Sequence, residues 1–193
     1  MKDLTINEMR FVLSILKSPE MEYNANNMAV SLDISSMGAL KIANRLVKEK
    51  ILLVKMLGRA KYYRLNINEY VSQYLKFLLK REAEQSYPYI KRWIIEIRKI
   101  KNADTAILFG SVLSKNESAK DVDVLLITNS KKFTALQTEI EILNKLNDKK
   151  IHPIFQTMGD IIKNVHDKDK IVCDALKGIV VFGEDIMVNL YQK

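Results

Sequence analysis

The sequence predicts a mixed α/β chain of the α+β kind, with two globular parts joined by helices. Three observations lead there. Residues up to about 66 show helical spacing three times and then two short apolar segments around Gly58. Residues from about 104 onward alternate strand-length apolar segments with helical stretches, which gives a mixed sheet covered by helices. The charge divides along the same line. Residues 1–103 hold 19 Lys/Arg against 10 Asp/Glu, and residues 104–193 hold 12 against 13, so the formal charge of +8 belongs to the front. A basic front half predicts a polyanionic partner. With 48% hydrophobic residues the chain can bury a core, which excludes a disordered protein. The single cysteine, Cys173, excludes an internal disulfide framework. The opening MKDLTINEM lacks the apolar core of a signal peptide, and no apolar run approaches the ~18 residues of a membrane helix. The expectation is a cytoplasmic protein with no membrane partner.

In the front part, Thr5-Ile6-Asn7-Glu8 is a capping-box pattern that opens a helix carrying Met9, Val12, Leu13 and Leu16, ended by Pro19. A second helix begins near Asn24, with Ala25, Met28, Ala29 and Leu32 on one side. Asp33-Ile34 makes a tight turn, and Ser35 or Ser36 caps a third helix reaching about Lys50. Its apolar side is Leu40, Ala43, Leu46 and Val47, and its opposite stripe is Lys41, Asn44, Arg45 and Lys48. Gly38 falls inside this helix with no reason visible in the sequence. Ile51–Met56 and Tyr62–Leu65, separated by Leu57 to Lys61, read as a hairpin.

Three helices, a tight turn and a basic hairpin resemble a winged helix-turn-helix domain, here residues 1–66. The resemblance implies a third helix in the DNA major groove and a hairpin wing on the backbone. Asn44 and Arg45 have the chemistry to read base edges, and Lys41, Lys48, Arg59, Lys61 and Arg64 suit phosphates. A solvated charge stripe and a protein-interaction module are the alternatives. Residues 67–86 form a connector helix whose Tyr70, Val71, Tyr74, Leu75, Phe77 and Leu78 cover a broad face, expected to be buried in a homodimer. Pro88 then starts a second helix through Trp93, Ile94, Ile97 and Ile100.

The chemistry is concentrated in Ala106 to Ile127. An apolar strand ends in Gly110-Ser111, nine residues follow, and a second apolar strand carries Asp121 and Asp123. Alternation along a strand places the two carboxylates on one side, roughly 6–7 Å apart, with Val122 and Val124 on the other. Paired hard oxygen ligands suit Mg²⁺, which shares its shell with water and phosphates. Gly110 permits close approach of the backbone, and Ser111 is expected at a helix N-terminus facing an anion.

Phe109-Gly110-Ser111 ahead of Asp121-Val122-Asp123-Val124 resembles the signature of the DNA polymerase β-like nucleotidyltransferase superfamily, closest to its minimal members. The resemblance covers residues 87–193. It implies that Gly110 and Ser111 bind a nucleoside triphosphate and that Asp121 and Asp123 are catalytic carboxylates holding Mg²⁺. The activity implied is nucleotidyl transfer to an acceptor with release of pyrophosphate. The sequence departs from the pattern in three places. Lys120 stands where relatives commonly have serine, and Val112 where arginine is frequent. The strand after the next helix offers His152, Pro153 and Gln156 but no third carboxylate, leaving Asp160, Asp167 or Asp169 as loop candidates. Imidazole is a poor Mg²⁺ ligand, so His152 is expected to matter little. Two other readings stand beside transfer: a transcriptional regulator whose degenerate domain senses a nucleotide, and an antitoxin-type protein paired with a small helical toxin.

Overall fold

Side-chain caps set the helix starts in the front of the chain. The computed structural model describes residues 4–190, and residues 1–3 and 191–193 lie outside it. In helix α1 (Ile6–Lys17) the Thr5 hydroxyl accepts from the Glu8 N–H, and the Glu8 carboxylate accepts from the Thr5 N–H. Helix α2 (Ala25–Leu32) opens on the equivalent box between Asn24 and Asn27 and stops at Asp33, whose φ of 53° is left-handed. Helix α3 (Ser36–Lys48) is capped by Ser35, whose hydroxyl accepts from the Gly38 N–H at 3.0 Å. A Cβ on residue 38 would come 3.1 Å from that hydroxyl. Glycine leaves the cap room, which accounts for a residue that costs about 1 kcal/mol inside a helix. Strands β1 (Leu52–Leu57) and β2 (Ala60–Leu65) form an antiparallel hairpin. Its turn is only Gly58-Arg59, tighter than the five-residue separation read from the sequence, and Gly58 supplies the positive φ of 61°.

Helix α4 (Glu69–Glu84) follows, and Pro88 occupies the first turn of helix α5 (Pro88–Ile97). The remainder is strand β3 (Thr105–Phe109), a single turn α6 (Val112–Lys115), strand β4 (Val122–Ile127), helix α7 (Phe133–Leu146), strand β5 (Ile151–Gln156), helices α8 (Met158–His166) and α9 (Lys170–Leu176), strand β6 (Ile179–Phe182) and helix α10 (Glu184–Asn189). The four strands pair in the order β5-β4-β3-β6, with β4 and β5 parallel and the other pairs antiparallel. The sheet is therefore mixed, as the sequence predicts. Pro153 sits in the edge strand β5, where its missing N–H disrupts no inner ladder.

Both faces of this sheet are covered, so its strands read as continuous apolar runs rather than alternating ones. Ala106, Leu108, Val124 and Leu126 pack with Trp93 and Ile97 of α5 and Leu136 and Ile140 of α7. Ile107, Leu125 and Val180 belong to the other face, and their core is continuous with that of the front helices through Leu75 and Leu79 of α4 and Met187 of α10. The two parts of the chain thus share one core rather than keeping separate ones. A buried polar link spans the same boundary. Lys17 is only 4% exposed, and its ammonium donates to the Glu82 carboxylate and to the Gly178 carbonyl, each at 2.5 Å.

The shared core changes the reading of α4. Val71, Leu75, Leu78 and Leu79 are buried within the chain, and Tyr74 packs against the same core. Burial, with the Glu49 and Glu8 carboxylates adding to it, pushes the Tyr74 hydroxyl up to about 12. Only Tyr70 and Phe77 remain outward, each more than half exposed. The face is broad because it has several neighbours in its own chain. Among the described residues, no helix is long and apolar enough to cross a membrane.

Candidate functional site

The Gly-Ser turn and the two carboxylates meet at one end of the central strands. Antiparallel pairing sets Phe109 opposite Asp123, so the chain leaves β3 directly beside the Asp123 side chain. Gly110 continues with a φ of 79°. A Cβ at this position would lie 2.2 Å from Asp123 Oδ2, so no residue with a side chain fits here without moving the carboxylate. Glycine is required twice over, by its backbone angle and by contact. Ser111 then starts α6, whose four residues make one turn, with Lys115 N–H donating to the Ser111 carbonyl at 2.8 Å. The expected helix N-terminus is therefore a short one, and the summed peptide dipole behind Ser111 is correspondingly small.

Parallel pairing across the crossover brings in a residue that sequence reasoning set aside. Asp123 and His152 are register partners on β4 and β5. His152 Nδ1 lies 3.3 Å from Asp121 Oδ2. One ligand atom each from Asp121, Asp123 and His152 falls within 4.8 Å of the other two. Asp123 is half-buried, and this burial, reinforced by the Asp121 charge, pushes its carboxyl above the ordinary aspartate value, while His152 pulls it back. Two carboxylates forced together with an imidazole alongside form a donor set that a divalent cation fits.

The surroundings hold this end of the sheet in place. Asn144 of α7 accepts from the Ile151 N–H at 2.7 Å and donates to the Ile151 carbonyl at 3.2 Å, fixing the start of β5 one residue before His152. Lys149 donates to the Ala119 carbonyl at 2.6 Å and to the Glu117 carbonyl, tying down the loop that leads into Asp121. Neither residue carries a motif. The loop acids lie elsewhere. The Asp160 carboxylate accepts from the Thr157 N–H at 2.9 Å and from the Thr157 hydroxyl at 2.7 Å, as the capping box of α8. Thr157 follows the far end of β5, roughly 16 Å from His152 at about 3.3 Å per residue. Asp169 caps α9, and Asp167 contacts His166. None of the three joins Asp121 and Asp123.

The candidate nucleic-acid face is on α3 and the hairpin. Lys41, Asn44 and Lys48 are exposed on α3, and Arg59, Lys61 and Arg64 are exposed on the hairpin. A groove of about 450 Å³ runs between them, lined by Met37 and Leu40 on one side and Arg59 and Lys61 on the other. Arg45 departs from the expected stripe. Its guanidinium reaches Glu8 at 2.5 Å and Glu49 at 2.9 Å, so its charge is engaged inside the fold rather than held out for a base. The hairpin is also less polar than its basic residues suggested, since Leu53, Val54, Met56 and Leu57 are all exposed on β1.

No family model matches this chain, and no curated protein or solved structure is significantly similar to it.

Proposed function

We propose that the protein binds DNA through its front part and a metal-complexed nucleoside triphosphate through its back part, in the manner of a winged helix-turn-helix joined to a polymerase β-like nucleotidyltransferase domain. The single observation that carries the nucleotide reading is the contact of Gly110 with Asp123. Gly110 is packed so closely on the half-buried carboxylate that the Gly-Ser turn and the acid pair stand side by side, the arrangement a phosphate with its cation calls for. Gly110 and Ser111 would offer N–H and hydroxyl donors to the phosphates. Asp121 and Asp123 would hold a divalent cation, Mg²⁺ in the simplest case, whose charge neutralises the triphosphate and polarises its phosphoryl oxygens. His152 stands where a third carboxylate would complete a catalytic set, which favours binding over turnover and therefore a nucleotide-sensing regulator. Calorimetric titration of Mg²⁺–ATP and the other triphosphates tests this, with Asp121→Asn expected to abolish binding. Efficient incorporation of labelled nucleotide into an acceptor would return the assignment to an enzyme.

On the DNA side, Lys41, Lys48, Arg59, Lys61 and Arg64 are the charges available to phosphates. Five neutralised phosphates give a slope of roughly −4 to −5 for log K against log salt. A flat response would remove DNA from the reading.

A further inference from the structure

We propose that His152 is the third protein ligand of the cation site and makes it select a first-row transition-metal ion over Mg²⁺. This deepens the preceding reading by naming the cation class of the same site, and it rests on that reading for the claim that a cation works there.

Three elements converge on the position. Asp123 comes from β4, Asp121 from the residue before that strand, and His152 from β5, with donor atoms of all three within 4.8 Å of one another. His152 is oriented into the set rather than away from it, because its Nδ1 is 3.3 Å from Asp121 Oδ2. The strand that carries it is fixed at both the N–H and the carbonyl of Ile151 by Asn144. The alternative partner for this imidazole would be Asp121 alone, as an ordinary surface pair. The chain supplies a comparison for that case. His166, the only other histidine of the sequence, lies 3.1 Å from Asp167 with 87% of its side chain exposed and, among the described residues, belongs to no group of three metal-ligating side chains. His152 differs in facing two carboxylates, one of them half-buried.

Ligand chemistry then decides the cation. Mg²⁺ demands oxygen donors and gives up water reluctantly, whereas imidazole binds the first-row ions increasingly well from Mn²⁺ through Fe²⁺ and Co²⁺ to Ni²⁺, and suits Zn²⁺ as well. A site with two carboxylates and one nitrogen keeps the hard oxygens that triphosphate complexes need and adds one donor that Mg²⁺ uses poorly. Replacing that nitrogen by a carboxylate should restore an all-oxygen site.

The test uses the full chain without nucleotide, with Mn²⁺ and Mg²⁺ as probes. Titration should show Mn²⁺ binding, and the preference for Mn²⁺ over Mg²⁺ should fall on the order of tenfold in His152→Asp. Pulsed electron paramagnetic resonance of bound Mn²⁺ should show coupling to an imidazole ¹⁴N in the wild type and in His166→Ala, and should lose it in His152→Ala. Bound Mn²⁺ without nitrogen coupling would overturn the proposal, as would an unchanged preference in His152→Asp or no Mn²⁺ binding at all. Nucleotide binding is measured separately with Mg²⁺. Triphosphate binding without nitrogen coupling sinks the ligand role of His152 and leaves the nucleotide reading standing. Mn²⁺ coupled to His152 with no triphosphate binding under either cation does the reverse.

Discussion

Gly110→Ala and Gly58→Ala form a matched pair that isolates what Gly110 does for the site. Both glycines have positive φ, 79° and 61°, but nothing lies within 4 Å of a Cβ built on Gly58, whereas one built on Gly110 is 2.2 Å from Asp123 Oδ2. Left-handed backbone costs an alanine about 1–2 kcal/mol. Lower entropy of the unfolded chain returns roughly 0.4–1 kcal/mol. Gly58→Ala should therefore cost about 1 kcal/mol or less, a Tm change of about 2–4 °C for a chain of this length. Gly110→Ala carries the same backbone cost and also forces the carboxylate aside, and overpacking adds typically ~1–3 kcal/mol. Its Tm should fall by roughly 4–16 °C. More tellingly, its cation and triphosphate binding should be lost, while Gly58→Ala keeps both. Calorimetry supplies both readouts. Equal Tm losses in the two variants, with binding intact in Gly110→Ala, would refute the claim that Gly110 is glycine because of Asp123.

Lys17→Met leaves the Glu82 carboxylate and the Gly178 carbonyl without their shared donor, and should cost about 2–4 kcal/mol, read as a Tm loss. Glu82→Leu added to it should recover much of that loss, and a double variant no better than the single one would count against a buried pair. Lys41→Ala and Lys48→Ala should each flatten the salt dependence of DNA binding by about one. Arg45→Ala should leave that slope nearly unchanged and lower Tm, because it strips Glu8, 4% exposed, of its cationic partner and leaves it the Thr5 donors alone. Asp123→Asn should raise Tm at neutral pH in the presence of a chelator. The Asp123 carboxyl is pushed up by burial and by Asp121, so the fold prefers its protonated form and gains stability as pH falls through that raised value. The advantage of Asp123→Asn should accordingly shrink on acidification, and an advantage that does not change with pH would contradict the cause assigned.

What the sequence made legible is what neighbouring residues decide. Thr5 with Glu8, Asn24 before α2, Ser35 before α3 and Pro88 at the start of α5 each act within one turn, and the structure starts its helices there. The strands of the sheet were legible as apolar runs because both faces are covered, which removes alternation. The breadth of the α4 face has a related cause. Hydrophobic breadth reports how much of a helix is buried, not whether the neighbour belongs to the same chain, and here α1, β6 and α10 are that neighbour. Arg45 shows the same limit of local spacing. Its spacing places it on the α3 stripe with Lys41 and Lys48, but Glu8 arrives from α1, 37 residues earlier, and takes its charge.

The candidate site divides along the same boundary between local and distant pairing. Gly110, Ser111, Asp121 and Asp123 lie within one strand–turn–strand unit, so the antiparallel register that sets Phe109 against Asp123 follows from a short connection. His152 reaches the site through a parallel pairing that needs the whole of α7 as its crossover. A shift of one residue in that pairing would turn His152 to the other side of the sheet. The register is fixed where Asn144 grips both polar groups of Ile151, a contact between a helix end and a strand start that leaves no periodic trace. Residue type alone therefore set His152 aside as a weak Mg²⁺ ligand, while geometry makes it a neighbour of both carboxylates. The sequence leaves open which acid completes the pair, the strand pairing sets an imidazole nitrogen beside it, and the preference between Mn²⁺ and Mg²⁺ is where the role proposed for that nitrogen becomes measurable.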